Sequence, residues 1–378
     1  MPPLLVGVNV RPALWSNTGI ARVVLNLMRT LPPIAPEWSF LLYCPRLPEP
    51  NHPLLGIIAS NQNCQLRLVR GRSTVLFETV CLPHAIRSDK VDVFLATVPE
   101  TRLAAGKPTL LTMHDTIPEL FPQSSPRRLR LLRATGLVRR NVSRCSEVLC
   151  FSNHTANDVA RVFGTHADRL TVVHLGVDPG IQRMGRDAAR ASVEQRFGIE
   201  AKYFLMLHVA EYGEFFRAYA TYLQGTPDPI PLVVVCGEHR ASRMRAEVDQ
   251  LHLGNSVLWL NHVTDTELSA LYSACYAFVY PSLYEGFGLP VLEALTCGAL
   301  CIAYRVSSLP EVLGNAGLLI DPDDLEGLIG ILRDVTRDTT VRAKYQEAID
   351  KQAGNFGWEL AAQVVRSSLE RISLRSPV

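Results

Sequence analysis

The sequence predicts an α/β protein made of two doubly wound, Rossmann-like domains with parallel sheets. Three observations predict it. Short apolar segments alternate with stretches of helical periodicity along the whole chain, the pattern of parallel strands joined by crossover helices. The 378 residues exceed one ordinary core, since a domain typically takes about 100 to 200. The strand series also starts afresh after a charged interruption beyond Gly180.

The first series is Leu4 to Val10, Ser39 to Tyr43, Val91 to Ala96, Thr109 to Met113, Glu147 to Phe151 and Leu170 to His174. After its first strand, Ile20, Val23, Val24 and Leu27 recur at helical spacing. The second series is Tyr203 to Val209, Leu232 to Cys236, Val257 to Leu260, Ala277 to Tyr280, Ala299 to Ala303 and Gly317 to Ile320. The expected division is therefore 1–180, 181–355 and a helical tail over 356–378, with a compact hinge near 176–200. Two such sheets are expected to face each other across a ligand cleft at the carboxyl ends of their strands, so the loops after strands are the informative ones.

Composition narrows the function. With 47% hydrophobic and 20% charged residues the chain can bury real cores and is not a disordered protein. Net charge is +2, but residues 1–180 carry about +8 and the rest about −6. The longest apolar runs, such as Leu232 to Cys236, fall far short of the roughly 18 residues of a membrane-spanning helix. The start lacks a basic n-region and runs directly into a strand, so a cytoplasmic location is expected. Nine cysteines without a C-x-x-C pair speak against a disulfide framework and a structural zinc site. Asp321-Pro-Asp-Asp324 reads as a helix start, and no metal or cofactor is expected.

The densest signal is Tyr280-Pro-Ser-Leu-Tyr-Glu285-Gly-Phe-Gly-Leu-Pro-Val-Leu-Glu293. A strand ends at Tyr280, a Gly-rich turn follows, and Leu289-Pro290 can open a helix with proline in its first turn. Backbone amides from Gly286, Phe287, Gly288 and Leu289, beside the positive end of a helix dipole, suit a phosphate or diphosphate. Two carboxylates flanking that anion site suit hydroxyl groups, to which they accept paired hydrogen bonds. A ligand with both parts is a nucleotide sugar.

Here the sequence resembles the retaining glycosyltransferases of the GT-B fold, family 4, whose E-x7-E motif matches Glu285 to Glu293. The likeness includes Val6-Gly-Val-Asn-Val-Arg-Pro, Asn17-Thr-Gly-Ile-Ala-Arg22, His114-Asp-Thr-Ile-Pro118, Ser152-Asn-His-Thr, Val172-Val-His-Leu-Gly-Val-Asp178 and Ser307-Ser-Leu-Pro-Glu-Val-Leu-Gly314. It looks like the bacterial mannosyltransferase-type members that build O-antigen, capsule or exopolysaccharide. By that resemblance Glu285 meets hydroxyls of the donor sugar and Glu293 those of the ribose. Gly19 then lies in a loop approaching the donor phosphates, although Asn17-Thr-Gly-Ile by itself also reads as a helix cap. His114, at the end of a strand, is expected to donate a hydrogen bond to the transferring sugar or the β-phosphate as charge develops.

The sequence departs from the family pattern where an Arg and a Lys grip the diphosphate. Gly213 and Glu214 stand there, and Arg217, Arg240 and Arg305 are the candidate substitutes. Seven arginines between Ser124 and Arg144, namely Arg127, Arg128, Arg130, Arg133, Arg139, Arg140 and Arg144, interleave with Leu129, Leu131, Leu132, Leu137 and Val138. They predict a basic amphipathic helix that lies on an anionic membrane or gathers a lipid-linked acceptor, against the plainer reading of a solvated charged face.

The expected function is transfer of a hexose, mannose from GDP-mannose, to a saccharide or lipid-linked saccharide with retention of configuration. Two alternatives stand beside it: a non-catalytic GT-B subunit that partners an active transferase, and a GT-B sugar-nucleotide epimerase. A homo-oligomer is also open. Nucleic acid is not an expected partner, because no recognised binding motif accompanies the basic charge.

Overall fold

The computed structural model describes residues 3–15, 18–121, 123, 133–209, 212–237 and 242–374. The chain divides into two compact units, residues 1–176 with 357–378 and residues 177–356. Each is an all-parallel sheet with helices on its faces, as the strand-helix alternation requires.

In the first unit the strands are β1 Leu5–Asn9, β2 Ser39–Cys44, β3 Cys64–Leu68, β4 Val93–Ala96, β5 Thr109–Met113, β6 Glu147–Cys150 and β7 Leu170–Val172. Their spatial order is β3-β2-β1-β4-β5-β6-β7, so the order reverses between β1 and β4. Strands β4 and β5 are buried along their whole length, and their Phe94 and Leu111 share one apolar cluster with Phe77, Leu82, Ile86 and Val148. The helix Gly19–Ile34 turns Val23, Val24, Leu27 and Leu31 inward at the predicted spacing. Strand β3 was not expected: Cys-Gln-Leu-Arg-Leu is half polar because it is the sheet's edge, buried fully only at Cys64.

The last helix, Trp358–Ser373, belongs to this first unit and buries Trp358, Ala361, Ala362, Val365, Leu369 and Ile372. Gly176 makes its entry possible, because a Cβ there would lie 2.5 Å from the backbone nitrogen of Trp358. Near its end Arg371 forms a two-pronged ion pair with Glu147, at 2.7 and 3.1 Å, and Glu147 is buried.

The second unit contains β8 Phe204–Leu207, β9 Leu232–Val235, β10 Val257–Leu260, β11 Ala277–Tyr280, β12 Cys301–Tyr304 and β13 Gly317–Ile320. The order β10-β9-β8-β11-β12-β13 reverses between β8 and β11. Asp324 accepts a 2.8 Å hydrogen bond from the backbone of Gly327 and so caps the helix Leu325–Arg337, which agrees with its reading as a helix start. No described helix is long and apolar enough to cross a membrane.

Candidate active site

Ligands of doubly wound sheets bind outside the carboxyl ends of the strands where the order reverses. In the second unit that point is the pair β8 and β11, and β11 ends at Tyr280, where the predicted motif begins. The loop is over-determined. Glu285 Oε1 accepts from the Tyr280 hydroxyl and from Ser282 Oγ, each at 2.8 Å. The Glu285 amide donates to Ser307 Oγ at 2.9 Å, and Ser308 Oγ donates to the Glu285 carbonyl at 3.0 Å.

Two hydroxyls thus hold the half-buried Glu285 carboxylate, and two serines from the loop after β12 hold its backbone. Burial and the adjoining Glu285 carboxylate keep the Tyr280 phenol well above its ordinary pKa, so it remains a donor.

Gly288 caps the helix Leu289–Thr296 in a left-handed conformation, φ +100°, with Pro290 in the first turn. A Cβ at this position would lie 2.9 Å from Leu309 Cδ2, so both conformation and space call for glycine. Phe287 is buried edge-on against Phe356. Glu293, one turn into the helix, is 6% exposed and accepts from the Tyr272 hydroxyl at 3.2 Å. Tyr272 and Tyr280 flank Phe278, so one aromatic column presents a hydroxyl to each motif glutamate. Tyr272 was not legible in the sequence, being 21 residues from its partner on a different helix.

The candidate diphosphate grips differ in placement. Gly213 has φ +55°, and Glu214 beside it pairs with Arg217 at 2.9 Å, both side chains exposed. The Glu214 carboxylate is therefore accompanied by a counter-charge. Arg305, just past β12, is engaged by the Leu319 carbonyl at 3.1 Å and by Asp321. Arg240 lies outside the described residues.

In the first unit the order reverses between β1 and β4, and His114 follows the neighbouring strand β5. Its Nε2 lies 2.8 Å from the Thr97 carbonyl, and its ring packs 4.9 Å from Phe151. A carbonyl can only accept, so Nε2 carries the proton. Burial pushes the His114 pKa down and that of neighbouring Asp115 up. Burial thus disfavours the charged imidazole, and in the neutral ring with its proton on Nε2 the free nitrogen Nδ1 is an acceptor. Gly19 is exposed as the first residue of its helix, where Thr18 Oγ1 caps the Ala21 amide at 3.2 Å.

The predicted basic helix is corrected in its described part. Gly136, at φ +73°, starts a separate helix Leu137–Arg144, so residues 133–144 are not one continuous helix. Arg133 does not face a surface: its side chain is 13% exposed and ion-paired with Glu100 at 2.7 Å and with Glu119. Arg139, Arg140 and Arg144 are exposed, opposite the buried Val138, Asn141 and Val142. Arg127, Arg128 and Arg130 lie outside the described residues.

Comparison with known proteins follows the same two units. Residues 17–180 match the model described as Glycosyltransferase Family 4, and residues 210–353 match Glycosyl transferases group 1. The chain belongs to glycosyltransferase family 4. It is 30% identical over 274 residues to the O-antigen chain mannosyltransferase B of Escherichia coli, covering 66% of each chain. To the O-antigen chain mannosyltransferase RfbU of Salmonella typhimurium it is 28% identical over 217 residues, 57% of each chain. The chain thus spans less than two thirds of the length of these curated relatives.

Among solved structures, HepE of Anabaena in complex with UDP superimposes with a TM-score of 0.70 at 16% identity, covering 98% of this chain and 100% of that one. WaaG, a glycosyltransferase involved in lipopolysaccharide biosynthesis, gives 0.71 at 15% identity over 97% and 99%. These likenesses establish the family member's fold as GT-B.

Proposed function

We propose that this family member is a retaining hexosyltransferase that moves mannose from GDP-mannose to a hydroxyl of a saccharide or lipid-linked saccharide in surface-polysaccharide synthesis. The observation that carries the proposal is the pair Glu285 and Glu293 on either side of the Gly288 helix start, each held by a tyrosine hydroxyl. Mannose is favoured by the names of the two O-antigen mannosyltransferases to which the chain is similar.

In this reading Glu285 accepts hydrogen bonds from hydroxyls of the sugar, and Glu293 from those of the ribose. Amides of Gly286 to Leu289, with the helix dipole, receive the diphosphate. Leaving-group charge is then met largely by fixed backbone donors, which need no reorganisation as the glycosidic bond breaks. Neutral His114 accepts a sugar hydroxyl at Nδ1. No side chain is assigned as a nucleophile, so the acceptor attacks from the face of the departing phosphate, which takes its proton. Gly213 and Glu214 favour one other reading, a non-catalytic subunit that binds without turnover.

The experiment is incubation with GDP-mannose while proton NMR follows the freed or transferred sugar. The α-anomer is expected first, with Glu285→Gln almost inactive. Release of the β-anomer first, or equal GDP release by the variant, would overturn the proposal.

A further inference from the structure

The first unit buries a carboxylate for which the proposed chemistry has no use. Glu78 is 1% exposed and lies in the wide turn Phe77–Cys81, a π-helical segment inside an otherwise α-helical stretch. That turn brings Phe77 and Glu78 inward together, while Val75, Leu76 and Val80 stay exposed. Such turns cost helix geometry and recur at functional sites.

Glu78 is densely engaged. Asn9 Nδ2, at the end of β1, lies 3.1 and 3.0 Å from its two oxygens. Thr101 Oγ1 donates to Oε2 at 2.6 Å, and Arg11 Nε pairs with Oε1. The Glu78 carbonyl accepts from the Arg102 amide at 3.0 Å. Asn141 Nδ2 also holds this loop, at 2.8 Å from the Pro99 carbonyl and 2.9 Å from that of Thr101. The loop so clamped, Thr97 to Thr101, contains the carbonyl that fixes His114 Nε2. Thr97 Oγ1 in turn donates to the Asn9 carbonyl.

We propose that Glu78 is a positioning residue for His114: through Asn9 and Thr101 it holds the Thr97 carbonyl where it selects the Nε2–H tautomer and so presents Nδ1 as an acceptor. The proposal rests on the reading of His114 as a sugar contact. A buried carboxylate with its ion-pair partner is a costly way to gain stability alone, since an apolar pair of similar volume often serves as well or better. It does fix the register of a loop between two strand ends.

The test is histidine-selective 15N labelling of the full chain, with His114→Gln assigning the His114 resonances. The wild type is expected to show the neutral Nε2–H form. Glu78→Gln and, as a gentler second variant, Thr101→Val are expected to lower its preference over the Nδ1–H form by about fivefold, the ratio set by one ordinary hydrogen bond. If the folded variants keep the wild-type His114 pattern and only their unfolding midpoints fall, Glu78 is structural and the proposal is overturned. Failure of the underlying reading is separate: GDP release from GDP-mannose unaltered by His114→Gln would remove the sugar contact whatever the NMR of the Glu78 variants shows.

Discussion

Replacing Arg371 by alanine tests how the last helix is fastened to the first unit. Arg371 contacts Glu147 through Nε and Nη2 at 3.1 and 2.7 Å, and the Glu147 side chain is 1% exposed whereas that of Arg371 is 45% exposed. Breaking a fully buried pair from one side costs about 3–5 kcal/mol because a buried charge is left alone. Solvent reaches nearly half of Arg371, and Thr171 still donates to Glu147, so the expected loss is nearer ~2 kcal/mol.

The effect has a pH signature. Burial works to raise the Glu147 pKa, but hydrogen bonds from Arg371, Thr171 and Ser368 outweigh it and hold the group below the ordinary value of 4.5. A group with a lowered folded pKa contributes stability above its unfolded pKa and loses it as pH falls through the folded one. The gap between wild type and Arg371→Ala should therefore be full at pH 7 and close at strongly acid pH. Urea unfolding followed by circular dichroism at several pH values reads it. A gap below about 0.5 kcal/mol at pH 7, the size of an ordinary surface change, or one that persists unchanged in acid, would show that the Arg371–Glu147 pair does not fasten the helix.

Gly288→Ala should abolish nucleotide-sugar binding while leaving the chain folded, because the new Cβ meets Leu309 at 2.9 Å in a left-handed turn; calorimetry on a variant with native circular dichroism reads it. Gly176→Ala should lower the unfolding stability by about 1–3 kcal/mol, the range for overpacking, since its Cβ meets the Trp358 backbone; a denaturant midpoint checks this. Reversing the charge of Arg139, Arg140 and Arg144, which are exposed, should reduce flotation with anionic liposomes, and flotation equal to wild type would remove these residues from any membrane contact.

The strands of both sheets were legible because buried parallel strands read as short apolar runs; Thr109–Met113, Val257–Leu260, Ala277–Tyr280 and Gly317–Ile320 match residue for residue. The edge strand Cys64–Leu68 was not, because half its side chains face solvent. Glu285 and Glu293 were legible since loop and helix lie in one continuous stretch. Their tyrosine partners were less so, because Tyr272 reaches Glu293 only through tertiary packing. Arg133 shows the limit of reading charge by composition. Its neighbours in sequence are arginines and leucines, but its partners in space are Glu100 and Glu119. Glu78 gave no signal at all, being a single acidic residue whose meaning depends on Asn9 and Thr101, distant in sequence.

Binding of a nucleotide sugar by the Glu285–Glu293 segment is read by calorimetric titration. Wild type, Glu293→Ala and Glu285→Ala would each be titrated with GDP-mannose, UDP-glucose, UDP-N-acetylglucosamine and the free nucleotides. Wild type should bind GDP-mannose selectively, and Glu293→Ala should weaken that binding at least about tenfold through loss of charged hydrogen bonds to the ribose. Glu285→Ala should bind with smaller loss and fail in turnover. No binding of any donor by the wild type, or equal binding by all three proteins, would contradict it.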